Sequence, residues 1–377
     1  MIPCQRHLFD IPEDVAYLNC AYMSPLMRPV IEAGNAALAR KAHPWEIMPE
    51  QFFSGSEEFR ATATRLIDAP ADCVAIVSSA SYGVATAARN LPVRKGQHIL
   101  VLDEQFPSNY YPWQRLAEEA GASIKIVPWP GDNDWTSAVL NSLRDDVAIA
   151  ALPHVQWTSG GRLDLVRIGE ACRKVGAALA LDLTQSLGAL PFSVREVQPD
   201  FMVAANYKWL MGPYTTGLLY VAPKWHGGRP LEENWIQRAN ARDFTSLILY
   251  TENYDEGARR FDMGERSNFA LLPAATRAMK QLLEWDVAQI SETAGALNRQ
   301  LAAAAADLGF SAPPEEFRAP HYMCLRRKAG IPSELPELLA GQKVFVSVRG
   351  SSVRVAPHVY NSATDMERLI SVLQTAV

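Results

Sequence analysis

No run of apolar residues in this 377-residue chain approaches the ~20 that a membrane-spanning helix needs, so no membrane segment is expected. The N-terminus, MIPCQRHLFDIPED, has no apolar signal core, which argues against export. The five cysteines (Cys4, Cys20, Cys73, Cys172, Cys324) are odd in number and show no C-x-x-C spacing. They read as free thiols in a reducing compartment rather than as a disulfide framework. Lys and Arg are scattered without a basic run and the net charge is −5, which gives no reason to expect nucleic acid or a membrane surface as partner. A cytoplasmic protein is expected. There is no internal repeat and no low-complexity segment; the Ala run at 302–306 is helix filler.

The length fits two structural units, one large and one small. Hydrophobic residues at 48% and charged residues at 20% are ordinary for a globular chain. From about residue 73 to 222 short apolar runs recur: CVAIVS, HILVLD, SIKIVPW, VAIAALPHV, AALALDL, FMVAA and GLLYVA. Stretches with helical spacing separate several of them, at Val84–Asn90, Ser108–Ala120 and Leu165–Val175. Runs apolar on both faces suit a mostly parallel sheet covered by helices on each side, so the pattern predicts an α/β unit. After about residue 225 the chain turns polar and irregular, then LLPAATRAMKQLLEWDVAQISETAGALNRQLAAAAADLG predicts one long or broken helix. HYMCLRR and KVFVSVRGSSVRVAP read as strands and SATDMERLISVLQTA as a last helix, with Ser362 and Asp365 at capping-box spacing. This is an α+β C-terminal unit.

Ligands of α/β sheets gather at the carboxyl ends of the strands, so the strand ends are the place to look. CVAIV is followed by Ser78-Ser79-Ala80-Ser81-Tyr82-Gly83 opening a helix. Small residues and hydroxyls at a helix N-terminus suit a phosphate, although a plain Ser cap has the same look. The stretch does not fit G-x-G-x-x-G, which sets aside a nucleotide-dependent oxidoreductase. HILVLD leads to Phe106, VAIAALP to His154, Gln156 and Trp157, AALAL to Asp182 and Gln185, and FMVAA to Lys208. Each has a bland reading: a core aromatic, a structural histidine, a turn aspartate. Together they set a phosphate cradle, a flat aromatic face, a carboxylate and a lysine on one edge of one sheet. Pyridoxal phosphate needs this set: a lysine for its aldehyde, an acid for its ring nitrogen, a stacking face, and donors for its phosphate. The apolar residues around Lys208 are then intelligible, because desolvation lowers an amine's pKa and makes it nucleophilic.

The order and spacing of these pieces resemble the class V aminotransferase family of fold-type I pyridoxal-phosphate enzymes, whose members include cysteine desulfurases, kynureninases and isopenicillin N epimerase-like proteins. The resemblance runs from YLNCAYMSPL at 17–26 to RVAPHVYNSATDMERL at 354–369, and its most specific piece is the D-x-x-Q of ALDLTQSLGALPFSV followed by Tyr207-Lys208. It implies a seven-stranded, mostly parallel large domain at 16–260 and a smaller α+β domain built from 1–15 and 261–377. It implies Lys208 as the aldehyde-binding lysine, Asp182 as the pyridinium partner and Gln185 as donor to the ring 3-oxygen. Ser81, Tyr82 and Tyr207 correspond to the phosphate contacts. Phe106 falls where many relatives stack a histidine and kynureninase-like members a Phe. RRFDMGERSN at 259–268 resembles the segment that reaches a neighbour's phosphate, with Ser267 and Asn268 as the contacts, so a homodimer with shared sites is expected. Arg354 falls where the family holds the substrate α-carboxylate, a task suited to a bidentate guanidinium; Arg349 is the fallback.

Cysteine desulfurases carry a nucleophilic Cys on a loop before that arginine. Here the segment is VFVSVRGSSVRV, without Cys, and Cys324 lies upstream in an apolar strand, where a buried thiol is the better reading. Persulfide chemistry by the usual route is not expected. Transamination, β-elimination, epimerisation and kynureninase-type cleavage remain, with aminotransferase or amino-acid lyase placed first. Tyr22, Trp45 and Trp157, with His154, Gln156 and His321, are candidates for the mouth of a pocket that takes a substrate larger than alanine. A non-catalytic regulator would be expected to have lost Lys208 or Asp182, and neither is lost.

Overall fold

The computed structural model describes residues 1–349 and 351–377. Its strands and helices follow in the order β1 (Ala16–Tyr17), α1 (Arg28–Arg40), α2 (Gln51–Ile67), β2 (Val74–Val77), α3 (Ala80–Asn90), β3 (His98–Leu102), α4 (Tyr111–Ala120), β4 (Ser123–Val127), α5 (Trp135–Ser142), β5 (Val147–Pro153), α6 (Leu165–Val175), β6 (Ala178–Asp182), α7 (Val194–Val197), β7 (Phe201–Ala205) and β8 (Gly217–Val221). The C-terminal part continues with α8 (Leu271–Trp285), α9 (Val287–Ala306), β9 (Phe310–Ser311), β10 (Met323–Arg327), α10 (Leu335–Gly341), β11 (Val344–Phe345), β12 (Ser347–Arg349), β13 (Ser352–Val355) and α11 (Ala363–Ala376).

The seven apolar runs form one seven-stranded sheet in the order β2-β8-β7-β6-β5-β3-β4. All pairings from β7 to β4 are parallel, and β8 runs antiparallel to both its neighbours. Alternate residues of each strand enter different cores: Ile76, Leu100 and Met202 join one with α2, α6 and α8, whereas Val77, Val101 and Val203 join the other with α3 and α4. This is why the runs are apolar throughout rather than alternating. Gly83 lets α3 lie close to the sheet, since a Cβ there would come 2.5 Å from Val203. Ser79 caps the same helix by accepting the Tyr82 N–H at 3.1 Å. Together they hold the helix N-terminus at the sheet's carboxyl edge.

The smaller unit has a four-stranded antiparallel sheet, β12-β13-β10-β9, whose apolar face packs with α9, α10 and α11 in a third core around Leu301, Leu325, Val353 and Leu369. The expected long helix is broken at Asp286, which has φ 67° and caps α9 by accepting the Ala288 N–H. The Ser362–Asp365 capping box is present. Relative to the ranges expected from sequence, α8 packs into the large core against α1 and α2. Ala16 and Leu18 lie in the C-terminal core, because β1 pairs in parallel with β11. Among the described residues no helix is long and apolar enough to cross a membrane.

Candidate active site

Five strand ends converge on one cleft of about 190 Å³. Ser78–Ser81 follow β2, Phe106 follows β3, Val155 and Trp157 follow β5, Asp182 and Gln185 follow β6, and Tyr207 and Lys208 follow β7; all line it. Tyr214 and Thr215 line it too. The sequence reading missed these two because β8 is antiparallel, which brings its start, not its end, to this edge. The Gly212-Pro213 break before them was the available signal.

Lys208 is fixed from both sides. The Tyr207 carbonyl accepts from the Ser24 N–H at 3.0 Å and its hydroxyl at 3.3 Å. The Lys208 carbonyl accepts the Met211 N–H at 3.0 Å. Trp209, Leu210 and Met211 are all buried, and the Trp209 ring sits edge-on to His321 at 4.4 Å. The lysine side chain is 7% exposed, and among the described residues its Nζ makes no hydrogen bond or ion pair. It stands 5.6 Å from the Phe106 ring and 5.5 Å from the Tyr207 ring. Burial lowers its pKa to about 8, with the Asp182 charge opposing and the Arg354 charge adding to the shift.

Asp182 is equally buried. Its carboxylate accepts the Thr184 N–H at 2.9 Å, and burial raises its pKa against that bond and the Lys208 charge. Gln185 donates one amide hydrogen to the Ala21 carbonyl at 3.1 Å and accepts the Trp209 indole N–H at 3.0 Å; its other amide hydrogen is free for a ligand. The Ser79 and Ser81 hydroxyls lie 2.9 Å apart at the start of α3. Burial first, then Tyr214 and Asp182, push the Tyr207 phenol up to about 12, so it is a neutral donor near pH 7.

Other expected site residues stand elsewhere. Tyr82 turns its ring from the cleft toward both cores; its hydroxyl is buried without a hydrogen-bond partner among the described residues, and burial and Glu232 raise its pKa. His154 does not line the cleft although Val155 and Trp157 do. An extended chain alternates its side chains, so His154 and Gln156 face inward. Burial holds the His154 imidazole neutral, with its pKa at about 3. Tyr22 is 55% exposed and close enough to Tyr207 to raise its pKa. The Ser267 hydroxyl donates to the Phe52 carbonyl at 2.6 Å, and the Asn268 side-chain oxygen accepts the Leu271 N–H at 3.0 Å; neither lines this chain's own cleft. Arg354 is buried behind Trp157, donates to its carbonyl at 3.3 Å and lies 5.7 Å from its ring. Among the described residues its Nε has no partner. Arg349 is exposed on the neighbouring strand.

The residues present fit pyridoxal phosphate. The decisive feature is that Lys208 and Asp182, both buried, leave hydrogen-bonding capacity unspent at one cleft, and such groups are otherwise costly.

Residues 20–371 match the family model described as Aminotransferase class-V. The uncharacterised aminotransferase YcbU of Bacillus subtilis (strain 168) is 26% identical over 370 residues, covering 97% of this chain and 95% of that protein. A probable cysteine desulfurase of Pyrococcus abyssi (strain GE5 / Orsay) is 27% identical over 223 residues, covering 56% of this chain and 55% of its own. In fold, the chain superposes on the apo cysteine desulfurase of Thermococcus onnurineus NA1 with a TM-score of 0.84 at 18% identity, covering 100% of this chain and 98% of that one. It also superposes on a variant of C-DES with glycine covalently linked to its PLP cofactor, with a TM-score of 0.85 at 18% identity and coverage of 99% and 100%.

Proposed function

The chain belongs to the class-V aminotransferase family and is a pyridoxal-phosphate enzyme, a transferase or lyase; from that premise we propose that it acts on an α-amino acid whose carboxylate is held by Arg354 and whose Cα proton is moved by Lys208. The carrying observation is geometric: the buried Lys208 and Asp182 line one cleft with Trp157, and the buried Arg354 is held against the Trp157 carbonyl. When bound, the cofactor draws electron density away from the substrate Cα. Asp182 would hold a proton on the ring nitrogen, Gln185 would donate its free amide hydrogen to the ring oxygen, and Phe106 would offer its face. Ser79, Ser81 and the first N–H groups of α3 would hold the phosphate.

Lys208 is the titratable group suited to proton transfer. A pKa near 8 lets its amine take a proton and return it near neutral pH. Phe106, standing where many relatives have histidine, supplies no second acid or base. This chemistry supports an aminotransferase or amino-acid lyase first and an epimerase behind them. Desulfuration through a loop cysteine lacks its residue: 344–355 contains none, and burial pushes the Cys324 thiol up to about 12. A homodimer belongs to the same reading, with the segment of Ser267 and Asn268 as the part that would reach the partner's phosphate.

The test begins with the visible spectrum of the purified protein before and after borohydride, with peptide mapping. A yellow band lost on reduction, with the cofactor fixed on Lys208, is expected. A colourless protein that cannot be reconstituted would overturn the reading. A panel of amino acids then separates the reactions: keto acid without ammonia marks transamination, and ammonia or a released thiol marks lyase action. Arg354→Lys keeps the charge but loses the bidentate fork, and should raise KM about ten-fold or more for every amino acid. An unchanged KM would remove Arg354 from the role.

A further inference from the structure

We infer that a second anion subsite adjoins Arg354, built from Arg326 and Arg349, and that the substrate is an amino acid carrying a side-chain carboxylate. The inference rests on the reading of Arg354 as the α-carboxylate holder. In the smaller sheet the register sets Arg326 of β10 and Arg349 of β12 directly across from Ser352 of β13, one on each side. Arg354 lies two residues further along β13, on the same face. The intervening residues Leu325, Val348 and Val353 turn to the opposite face and pack into the C-terminal core. Strand alternation therefore gathers three guanidiniums on one polar face.

That face looks onto a cavity of about 240 Å³ whose walls include Arg326, Arg349, Arg354, Trp157 and Glu104. Trp157 also lines the lysine cleft, so it is the wall the two spaces share. Among the described residues Glu104 is the one carboxylate lining the cavity, and its Oε2 accepts the Thr158 hydroxyl at 2.7 Å. Among the described residues none of the three arginines forms an ion pair. Arg354 is buried, whereas Arg326 and Arg349 are exposed; Arg60 and Arg266, fully buried elsewhere, both bind Asp262. Three guanidiniums against one carboxylate leave an excess of two positive charges, which the two carboxylates of an acidic amino acid neutralise. The guanidinium planes are steadied on aromatic faces, Arg326 over Trp129 at 4.4 Å and Arg354 over Trp157 at 5.7 Å. This leaves N–H edges for planar, bidentate recognition of a carboxylate. Residues two apart on a strand are separated by about 6.6 Å, within the span of long arginine side chains converging on a four- or five-carbon diacid.

The test compares glutamate with glutamine and aspartate with asparagine as substrates of the holoenzyme, and measures binding of glutarate and butyrate by calorimetry. The wild type should favour the acid of each pair and bind glutarate over butyrate. Arg326→Gln and Arg349→Gln should each lower the acid-to-amide ratio of kcat/KM about ten-fold, as expected for losing a hydrogen bond to a charged group. Both should weaken glutarate binding, and high salt should erode the discrimination. Arg354→Gln should instead depress acid and amide alike. The subsite is overturned if the wild type prefers the amides, or if neither variant moves the ratio. If no amino acid of either kind is bound or turned over, the reading of Arg354 fails and the subsite with it.

Discussion

Two edges of the same sheet each carry a lysine near a buried aspartate, and the two pairs are treated oppositely. At the amino edge Asp200, just before β7, accepts the Leu179 N–H at 2.9 Å, the Trp225 indole N–H at 2.6 Å and the Lys224 ammonium at 2.6 Å. At the carboxyl edge Asp182 accepts the Thr184 N–H, and Lys208 has no polar partner among the described residues. The first edge spends its polar groups on the fold; the second withholds them for a ligand. Cavity size points the wrong way: the groove that includes Asp200 and Lys224 holds about 1070 Å³, against about 190 Å³ for the lysine cleft. Unspent bonds on buried ionisable groups mark the site better than volume does.

The comparison is broken most severely at Lys208. Lys208→Met should lower turnover about 10³-fold or more, since it removes the group proposed to move the proton. It should also stabilise the cofactor-free protein. The folded-state pKa of Lys208 is depressed to about 8 from the ordinary 10.5, so the unfolded chain binds its proton more tightly. Wild-type stability then rises with pH between about 8 and 10.5, and below about 8 the full penalty stands, on the order of 3 kcal/mol. Urea unfolding should show the variant ahead near neutral pH and the gap closing as pH rises toward 10. Parallel pH curves would show that the buried amine carries no such penalty. Asp182→Asn keeps the shape and loses the charge. It should lower kcat about 10²-fold with little change in unfolding midpoint; a kcat above half the wild-type value would dismiss Asp182 as the ring-nitrogen partner.

At the other edge the loss should appear in stability instead. Asp200→Ala leaves the Leu179 N–H, the Trp225 N–H and Lys224 without their acceptor. Stranded buried donors of this kind cost about 3 kcal/mol. Activity per folded molecule should be unchanged. If activity falls while stability holds, the two edges are not divided as described.

The seven strands and the gathering of Lys208, Asp182 and Gln185 at one cleft were legible in sequence, because a sheet buried on both faces writes continuous apolar runs and the residues at its carboxyl edge follow directly after them. What escaped is of another kind. The inward turn of His154 follows from alternation between Val155 and Trp157, a parity present in the sequence but visible only once the strand's facing is known. The direction of the Tyr82 ring, toward the cores rather than the cleft, could not be read from its place at the start of α3. Trp209 reaching Gln185 joins two strand ends that no local pattern connects. Helix α1 went unassigned because it buries only Val30 and Ala37, too few to write a periodic stripe. Asp200 carried no signal in the sequence, because its donors, Leu179 on β6 and the adjacent pair Lys224 and Trp225 after β8, stand far from it along the chain.

The smallest expected effect sharpens the contrast. Lys224 pairs with Asp200 at 2.6 Å, closer than many ion pairs, yet its side chain is 67% exposed. Solvent already stabilises its ammonium, so the pair gains little from contact. Asp200 also keeps the Leu179 and Trp225 donors when the lysine is removed. Lys224→Ala should therefore cost less than about 1 kcal/mol and leave activity intact, with the cost shrinking further at high salt. Urea midpoints of variant and wild type at low and high salt measure this. A larger, salt-insensitive loss would mean that the ammonium is needed to hold a buried charge, which would make the amino edge as electrostatically strained as the carboxyl edge and remove the distinction on which the site assignment leans.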